Sequence, residues 1–197
     1  GLKDYGYCIK CVFITGITKF TQISMFGMLN TLVNISFRNE YAAICGFTKD
    51  EVICNFSEHL SELADNNAIV KSALMDTMSS IYGGYHFSRG LIGVCNPFSV
   101  CNALANLRLN SYWIASGSNE MLLKVLRKFI NEIPELDNCL IDSDYLEMSD
   151  VNMNDPKLFL YQFGYLTIKK VVGSSYMLGY PNREVRNAML GMSLPNG

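Results

Sequence analysis

The sequence predicts an α+β fold that is mostly helical, and three observations support this prediction. Apolar residues recur at helical spacing, behind helix-capping patterns, through the middle of the chain. Strand signals are confined to an opening apolar run and to a hairpin pattern near the C-terminus. Hydrophobic residues make up 49% of the 197 residues and charged residues 17%, which is typical of a folded chain.

In the opening segment, residues 1–47, the sequence first predicts a strand. Residues 7–15 are rich in β-forming and apolar types without clear alternation, which favours a core strand buried on both faces. From Phe20 onward apolar residues return at helical spacing. We therefore expect one leading core strand followed by a helical stretch.

Residues 48–134 are predicted to be a helical region. Thr48 and Glu51 make a capping-box pattern ahead of an apolar stripe. Asn67 is a candidate cap for the next helix, whose buried stripe would include Val70. A Gly-Gly pair at position 83 then ends that helix.

The second half of this region continues with a turn and two more helices. The string "YHFSRGLIGV" predicts a short hairpin that turns at Arg89. Asn96 and Pro97 are a typical helix start, and the helix that follows is expected to carry Phe98 inward. A further helix is predicted over residues 119–133.

The C-terminal part divides into a linker and a compact unit. Residues 135–154 are acidic and irregular, and we expect an exposed loop or linker there. Asp155 and Pro156 begin a short helix, a clear hairpin pattern follows, and Pro181 precedes a last helix. Residues 155–192 therefore predict a helix–hairpin–helix unit that is winged-helix-like.

Charge, hydropathy and cysteine content limit the classes of function. The net charge of −2 gives no overall attraction for nucleic acid, and no apolar run is long enough for a membrane span. Seven scattered cysteines and no secretion leader favour a reducing cytoplasm over a disulfide scaffold. Because the chain begins at Gly1, we expect it to be trimmed or cut from a longer protein.

Cys8 and Cys11 have the C-x-x-C spacing of some metal and redox sites. Zinc would need a second pair or histidines, and the chain has only His59 and His86. Residues three apart on a strand also point to opposite faces. We expect no metal site here.

The string "CVFITGITKF" raises the question of nucleotide binding. A P-loop requires G-x-x-x-x-G-K-[ST], whereas Gly16 is the only glycine here and Lys19 follows Thr18. No pair of acids that would hold Mg²⁺ follows an apolar run, so the chain alone is predicted to bind no nucleotide and to contain no catalytic residue. Two interpretations stay open: Thr15, Thr18 and Lys19 contact a phosphate held elsewhere, or the strand ends in an ordinary turn.

Several strings together resemble one known family. They are "FITGITKF", "YAAICGFT", "YGGYHFS" followed by "GVCNPFSV", "YWIASGS", "YQFGYLTIK" and "YMLGYPNREVR". In this order and at these distances, they are similar to AAA-ATPase-like proteins of Bacteroidetes and other anaerobes. Those proteins join an N-terminal P-loop ATPase module to a C-terminal PD-(D/E)XK nuclease-like domain.

The resemblance implies that this chain is the C-terminal part of the ATPase-like module. Thr15, Thr18 and Lys19 would then be the nucleotide-sensing strand end. ATP and Mg²⁺ would be cofactors of the parent protein, and its upstream P-loop half and downstream nuclease-like domain would be the partners of this chain. Residues 48–134 would be a helical lid, and the residues that match the family's lid signature are Tyr82, Gly84, Tyr85, Phe87, Asn96 and Pro97.

The resemblance also has departures, which keep other functions open. The family usually has Asp where Gly83 stands and Tyr where Cys95 stands, so this chain is also compatible with an interaction scaffold that has a degenerate nucleotide site. A further alternative is a nucleic-acid-binding winged-helix-like module. The basic residues that would contact phosphates are Arg89, Lys169, Lys170, Arg183 and Arg186.

Overall fold

A computed structural model describes residue 8 and residues 10–16, 33–113, 126–148, 152 and 154–193. Within these residues the fold is α+β and mostly helical, which confirms the predicted fold class. The α-helices are α1 Lys49–Asn55, α2 Ser57–Asn66, α3 Lys71–Tyr82, α4 Pro97–Asn106, α5 Ser143–Met148, α6 Pro156–Gln162 and α7 Arg183–Ser193. The strands are β1 Cys139–Asp142, β2 Thr167–Val172 and β3 Ser175–Gly179, and short 3-10 helices span Asn39–Tyr41 and Ile133–Leu136.

Helices α1 to α4 surround the first hydrophobic cluster, which we call the helical core. The capping box at the start of α1 is present: Thr48 Oγ1 accepts from the Glu51 amide, and Glu51 Oε2 accepts from the Thr48 amide. The residues buried in the helical core are Val52, Leu63, Ala64, Leu74, Met75, Met78, Tyr82, Cys95, Val100, Ala103 and Leu104.

Replacing Thr48 with alanine should destabilise the protein by about 1 kcal/mol, because the first turn of α1 loses its side-chain acceptor. Thr77 is a matched control, since its hydroxyl donates to the Ala73 carbonyl in the middle of α3 and caps nothing. Urea denaturation of both variants measures the difference. Equal midpoints for Thr48→Ala and Thr77→Ala would show that the cap contributes nothing.

Three expectations about the helical region are wrong. Asn67 does not begin α3; its Nδ2 donates to the carbonyls of Leu63 and Leu107, so it closes the end of α2. Helix α3 instead begins after Val70, whose side chain is 72% exposed rather than buried. Phe98 is also exposed, because α4 buries the opposite stripe, which contains Val100, Ala103 and Leu104.

The second cluster, which we call the C-terminal core, lies against an antiparallel sheet with the strand order β1-β3-β2. Ile141 pairs with Tyr176 across β1 and β3, and Ile168 pairs with Leu178 across β2 and β3. All four side chains are buried, so one face of the sheet supplies the core. The predicted hairpin is confirmed as β2 and β3, and helices α6 and α7 flank it in the chain.

The expectation of a linker over residues 135–154 is wrong for the part that the structure describes. This segment contains β1 and α5, and Ile141 and Leu146 are buried in the C-terminal core. Strand β1 forms because its backbone pairs with β3, which lies far away in the chain. The acidic residues that suggested a loop, such as Asp142 and Asp144, lie on the exposed side of these elements.

The predicted leading core strand is not observed over those of its residues that the structure describes. Residues 11–16 have no regular hydrogen-bonded structure, and the side chains of Val12, Phe13 and Ile14 are 42%, 60% and 48% exposed. A strand needs a neighbour, and none of the described strands pairs with this stretch. The hairpin predicted around Arg89 is reduced to one antiparallel bridge between Tyr85 and Val94.

Candidate functional site

The residues of the lid signature lie where the helical core meets the C-terminal core. Several hydrogen bonds cross this boundary, and among them are Asn182 Nδ2 to the Gly83 carbonyl at 2.9 Å, Ser99 Oγ to Glu184 Oε2 at 3.0 Å, and the His86 amide to Thr167 Oγ1 at 2.7 Å. We call this set of six residues the seam. It connects α3, α4 and the loop between them with β2 and α7.

Gly84 brings the two sides of the seam into close approach. Its φ is +76°, a left-handed conformation that favours glycine. A Cβ built on it would lie 2.1 Å from the carbonyl oxygen of Pro181. Both the backbone conformation and the space therefore require a glycine at this position of the signature.

The aromatic residues of the signature are packed beside the seam. Tyr82 is fully buried and its hydroxyl donates to the Asn110 carbonyl at 2.9 Å. The rings of Tyr85 and Phe87 are stacked with centroids 6.3 Å apart. Burial raises the pKa of Tyr82 and of Tyr85, so both hydroxyls stay protonated and act as neutral hydrogen-bonding groups.

Asn96 and Pro97 form the predicted start of α4. The Asn96 side chain accepts from the Ser99 amide at 3.2 Å, and Pro97 occupies the first turn. The Asn96 amide donates to the Tyr82 carbonyl at 2.8 Å, which ties the end of α3 to the start of α4. The signature residues thus fix the loop between these two helices.

Glu184 is the functional candidate that the sequence did not reveal. Its side chain lies in α7 and the residue is only 3% exposed. One carboxylate oxygen accepts from Ser99 Oγ at 3.0 Å and the other from the Trp113 amide at 2.8 Å. An acid in the first turn of a helix is commonplace, so the pattern gave no signal that this one is buried.

His86 makes further polar contacts across the seam. Thr167 Oγ1 donates to the His86 carbonyl at 3.1 Å, while His86 Nδ1 lies 2.9 Å from the Ile168 carbonyl. A carbonyl only accepts, so Nδ1 carries the proton. Burial, helped by the nearby charge of Lys169, lowers the pKa of His86, and the ring is therefore neutral at physiological pH.

The side chain of Arg89 contacts residues of the C-terminal part of the chain. Its Nη2 donates to Ser143 Oγ at 2.9 Å, and its guanidinium lies 5.3 Å from the centre of the Tyr176 ring. The Tyr176 hydroxyl donates to the Glu147 carboxylate. Burial, followed by the interaction with Glu147, raises the pKa of Tyr176 to about 12. The contacts of Arg89 thus hold the loop after α3 against the sheet.

Two of the other four basic candidates make contacts within the chain, and two are exposed. Lys169 Nζ donates to the carbonyls of Tyr180 and Pro181, and burial lowers its pKa. Arg186 pairs with Asp137 at 3.4 Å. Lys170 and Arg183 are exposed. With Arg89, three of these five side chains are thus engaged within the chain.

The nucleotide-sensing candidates lie at the other end of the chain. Thr15 is exposed in the stretch without regular structure. Thr18 and Lys19 lie outside the described residues. Within the part of the chain that the structure describes, no three His, Cys, Asp or Glu side chains are grouped to hold a metal ion, and no helix is long and apolar enough to cross a membrane.

Comparison with known proteins gives one relative among curated sequences. It is a protein of Azotobacter chroococcum mcd 1 described as "Uncharacterized protein in vnfD 5'region", 28% identical over 192 residues. The match covers 95% of this chain and 35% of the relative, so the chain spans about a third of that protein's length. No protein-family model matches the chain, and no solved structure matches it.

Proposed function

We propose that this chain is the lid and regulatory part of an AAA-type ATPase-like protein and couples nucleotide state to an attached nuclease-like domain. It is not catalytic alone. ATP and Mg²⁺ belong to the parent protein, whose upstream half would supply the phosphate-binding loop. We place the protein in the cytoplasm, in keeping with its seven free cysteines.

The observation that carries this proposal is the state of residues 11–16. They are apolar and strand-prone, yet they are exposed and pair with none of the strands that the structure describes. Apolar β-forming residues that are left open on a folded unit are typical of a surface covered by another element. In the proposal this element is the sheet of the upstream half, and Thr15, Thr18 and Lys19 then lie at the end of an added strand.

The seam supplies a route for coupling. Movement of α3 and α4, the helices of the lid, acts on α7 through Ser99 and Glu184 and through Gly83 and Asn182. Helix α7 is the last described element, and the downstream domain would follow it. These hydrogen bonds join buried groups, so a displacement of one side can be passed to the other.

Calorimetric titration with Mg-ATP tests the division of labour between the two halves. The chain alone should give no detectable heat, whereas the parent protein that includes the upstream half should hydrolyse ATP. In that parent, Thr18→Ala should lower the rate by about tenfold, because a side chain at the γ-phosphate is lost. Thr77→Ala, on the exposed side of α3, is the control and should leave the rate unchanged.

Two results would contradict the proposal. Micromolar binding of Mg-ATP by the chain alone would mean that a phosphate cradle exists within it. An unchanged parental rate in both Thr15→Ala and Thr18→Ala would remove the sensor assignment.

One observation favours the interaction scaffold as a second candidate. A Cβ at Gly83 would lie 2.6 Å from the Ser79 carbonyl oxygen and 3.2 Å from Cys95 Sγ, so the Asp that the resemblance expects does not fit this backbone. A parent protein without ATPase activity would favour the scaffold. The nucleic-acid alternative has less support, because Arg89, Lys169 and Arg186 make contacts within the chain.

A further inference from the structure

A groove between α1, α2 and α3 lies on the helical core, and it has a volume of about 300 Å³. Its floor is apolar and consists of Ile53, Leu60, Leu74 and Met75. Leu74 and Met75 are buried, Leu60 is half-buried and Ile53 is 43% exposed. A groove of this volume has room for one or two apolar side chains.

The charged residues that line the groove are both basic. Lys49 and Lys71 line it together with three serines, and no acidic residue is in the lining. Lys49 is already paired with Asp76 beside the groove. Among the described residues, no acid pairs with Lys71, so its ammonium group is the charge available to a partner.

Helix α3 adds to this positive character. Lys71 and Ser72 are its first two residues, no side chain caps its N-terminus, and its first turn contains no acid. A helix N-terminus with open amides attracts a carboxylate. The neighbouring Val70 is 72% exposed and extends the apolar surface outward from this point.

We infer that this groove is the docking site of an acidic peptide segment from a protein partner, in which an aliphatic side chain stands next to a carboxylate. The aliphatic side chain lies on Ile53 and Met75, and the carboxylate meets Lys71 at the start of α3. This inference goes beyond the nucleotide coupling proposed above, because none of the seam residues lines the groove.

Fluorescence anisotropy of a labelled peptide that alternates leucine and glutamate tests the inference on the full chain. Lys71→Glu should weaken binding by about tenfold, because an attraction becomes a repulsion. Ile53→Ser should weaken it by about fivefold through lost apolar contact. Lys128→Glu reverses an exposed lysine outside the groove and should leave binding unchanged.

The peptide series separates charge from hydrophobicity. Replacing its glutamates with glutamines should weaken binding less than Lys71→Glu does, because the attraction is removed but no repulsion replaces it, and added salt should weaken only the glutamate peptide. Equal binding of both peptides, or equal effects of Lys71→Glu and Lys128→Glu, would overturn the inference. The urea midpoint of each variant must match that of the unaltered chain, which separates lost docking from lost folding.

Two further outcomes would assign the groove to another occupant and would also overturn the inference. One is octanoate displacing the peptide at the peptide's own concentration, which would indicate a small carboxylate ligand. The other is a dimer in sedimentation that Ile53→Ser converts to a monomer, which would indicate a second copy of this chain. Peptide binding with the expected variant effects, by a chain that stays monomeric, would support the inference.

Discussion

Gly84→Ala is expected to destabilise the protein by about 4 kcal/mol, a large share of the stability of a domain of this size. Two costs combine. The φ of +76° is strained for any residue with a Cβ, and that Cβ would lie 2.1 Å from the Pro181 carbonyl oxygen. The backbone at one side of the seam must therefore move. Urea denaturation followed by circular dichroism measures the loss.

Gly173→Ala is the matched control. Gly173 also has a left-handed φ, of +59°, but a Cβ there would meet nothing within 4 Å. The strain alone should cost about 1.5 kcal/mol. The difference between the two variants isolates the close approach across the seam. Equal losses would show that the two sides are not held in contact at Gly84.

Local signals explain which parts of the fold were predictable from the sequence. The caps at Thr48, Asn96 and Asp155 are each decided within four residues, and all three begin helices as expected. The β2–β3 hairpin is equally local, since its strands are joined by a short turn at Gly173. In these segments the side-chain pattern and the backbone requirement agree.

The failures involve contacts between distant parts of the chain. Strand β1 pairs with β3, which lies more than thirty residues later in the chain. The residues around Cys139 therefore carry no local signal that they form a strand. The local pattern at Asn67 fits a helix cap, but its Nδ2 donates to the carbonyl of Leu107, at the end of another helix. Residues 11–16 show the reverse case, in which a strong strand pattern finds no partner among the described strands.

The candidate site was predictable only in part for the same reason. Tyr82, Gly84, Tyr85, Asn96 and Pro97 come from neighbouring segments, and the structure brings them together at the seam. The neighbouring residues His86 and Ser99 bind partners across the seam that lie 81 and 85 residues later in the chain. Glu184 illustrates the limit, because its importance depends on burial and on the positions of Ser99 and Trp113, which no local spacing encodes.

Glu184→Ala is expected to destabilise the protein by about 3 kcal/mol. The Ser99 hydroxyl and the Trp113 amide both lose this acceptor in a dry boundary, and a cavity replaces the side chain. Glu184→Gln should cost less, about 1 to 2 kcal/mol, because its carbonyl still accepts from the amide while its NH₂ faces a hydroxyl that can accept. Urea denaturation of both variants gives the free energies of unfolding.

A double-mutant cycle with Ser99→Ala separates the hydrogen bond across the seam from the loss of volume. If the bond between Ser99 Oγ and Glu184 Oε2 stabilises the junction, the double variant should be more stable than the sum of the single losses predicts, by about 1 kcal/mol. Glu62→Ala, which removes an exposed glutamate of α2, should change the stability by less than about 0.5 kcal/mol. Two results would mean that this carboxylate does not hold α7 to α4: strict additivity of Ser99→Ala and Glu184→Ala, or a loss of stability at Glu184 no larger than that at Glu62. The seam would then keep only the hydrogen bond between Asn182 and Gly83 as a route by which the lid helices act on α7.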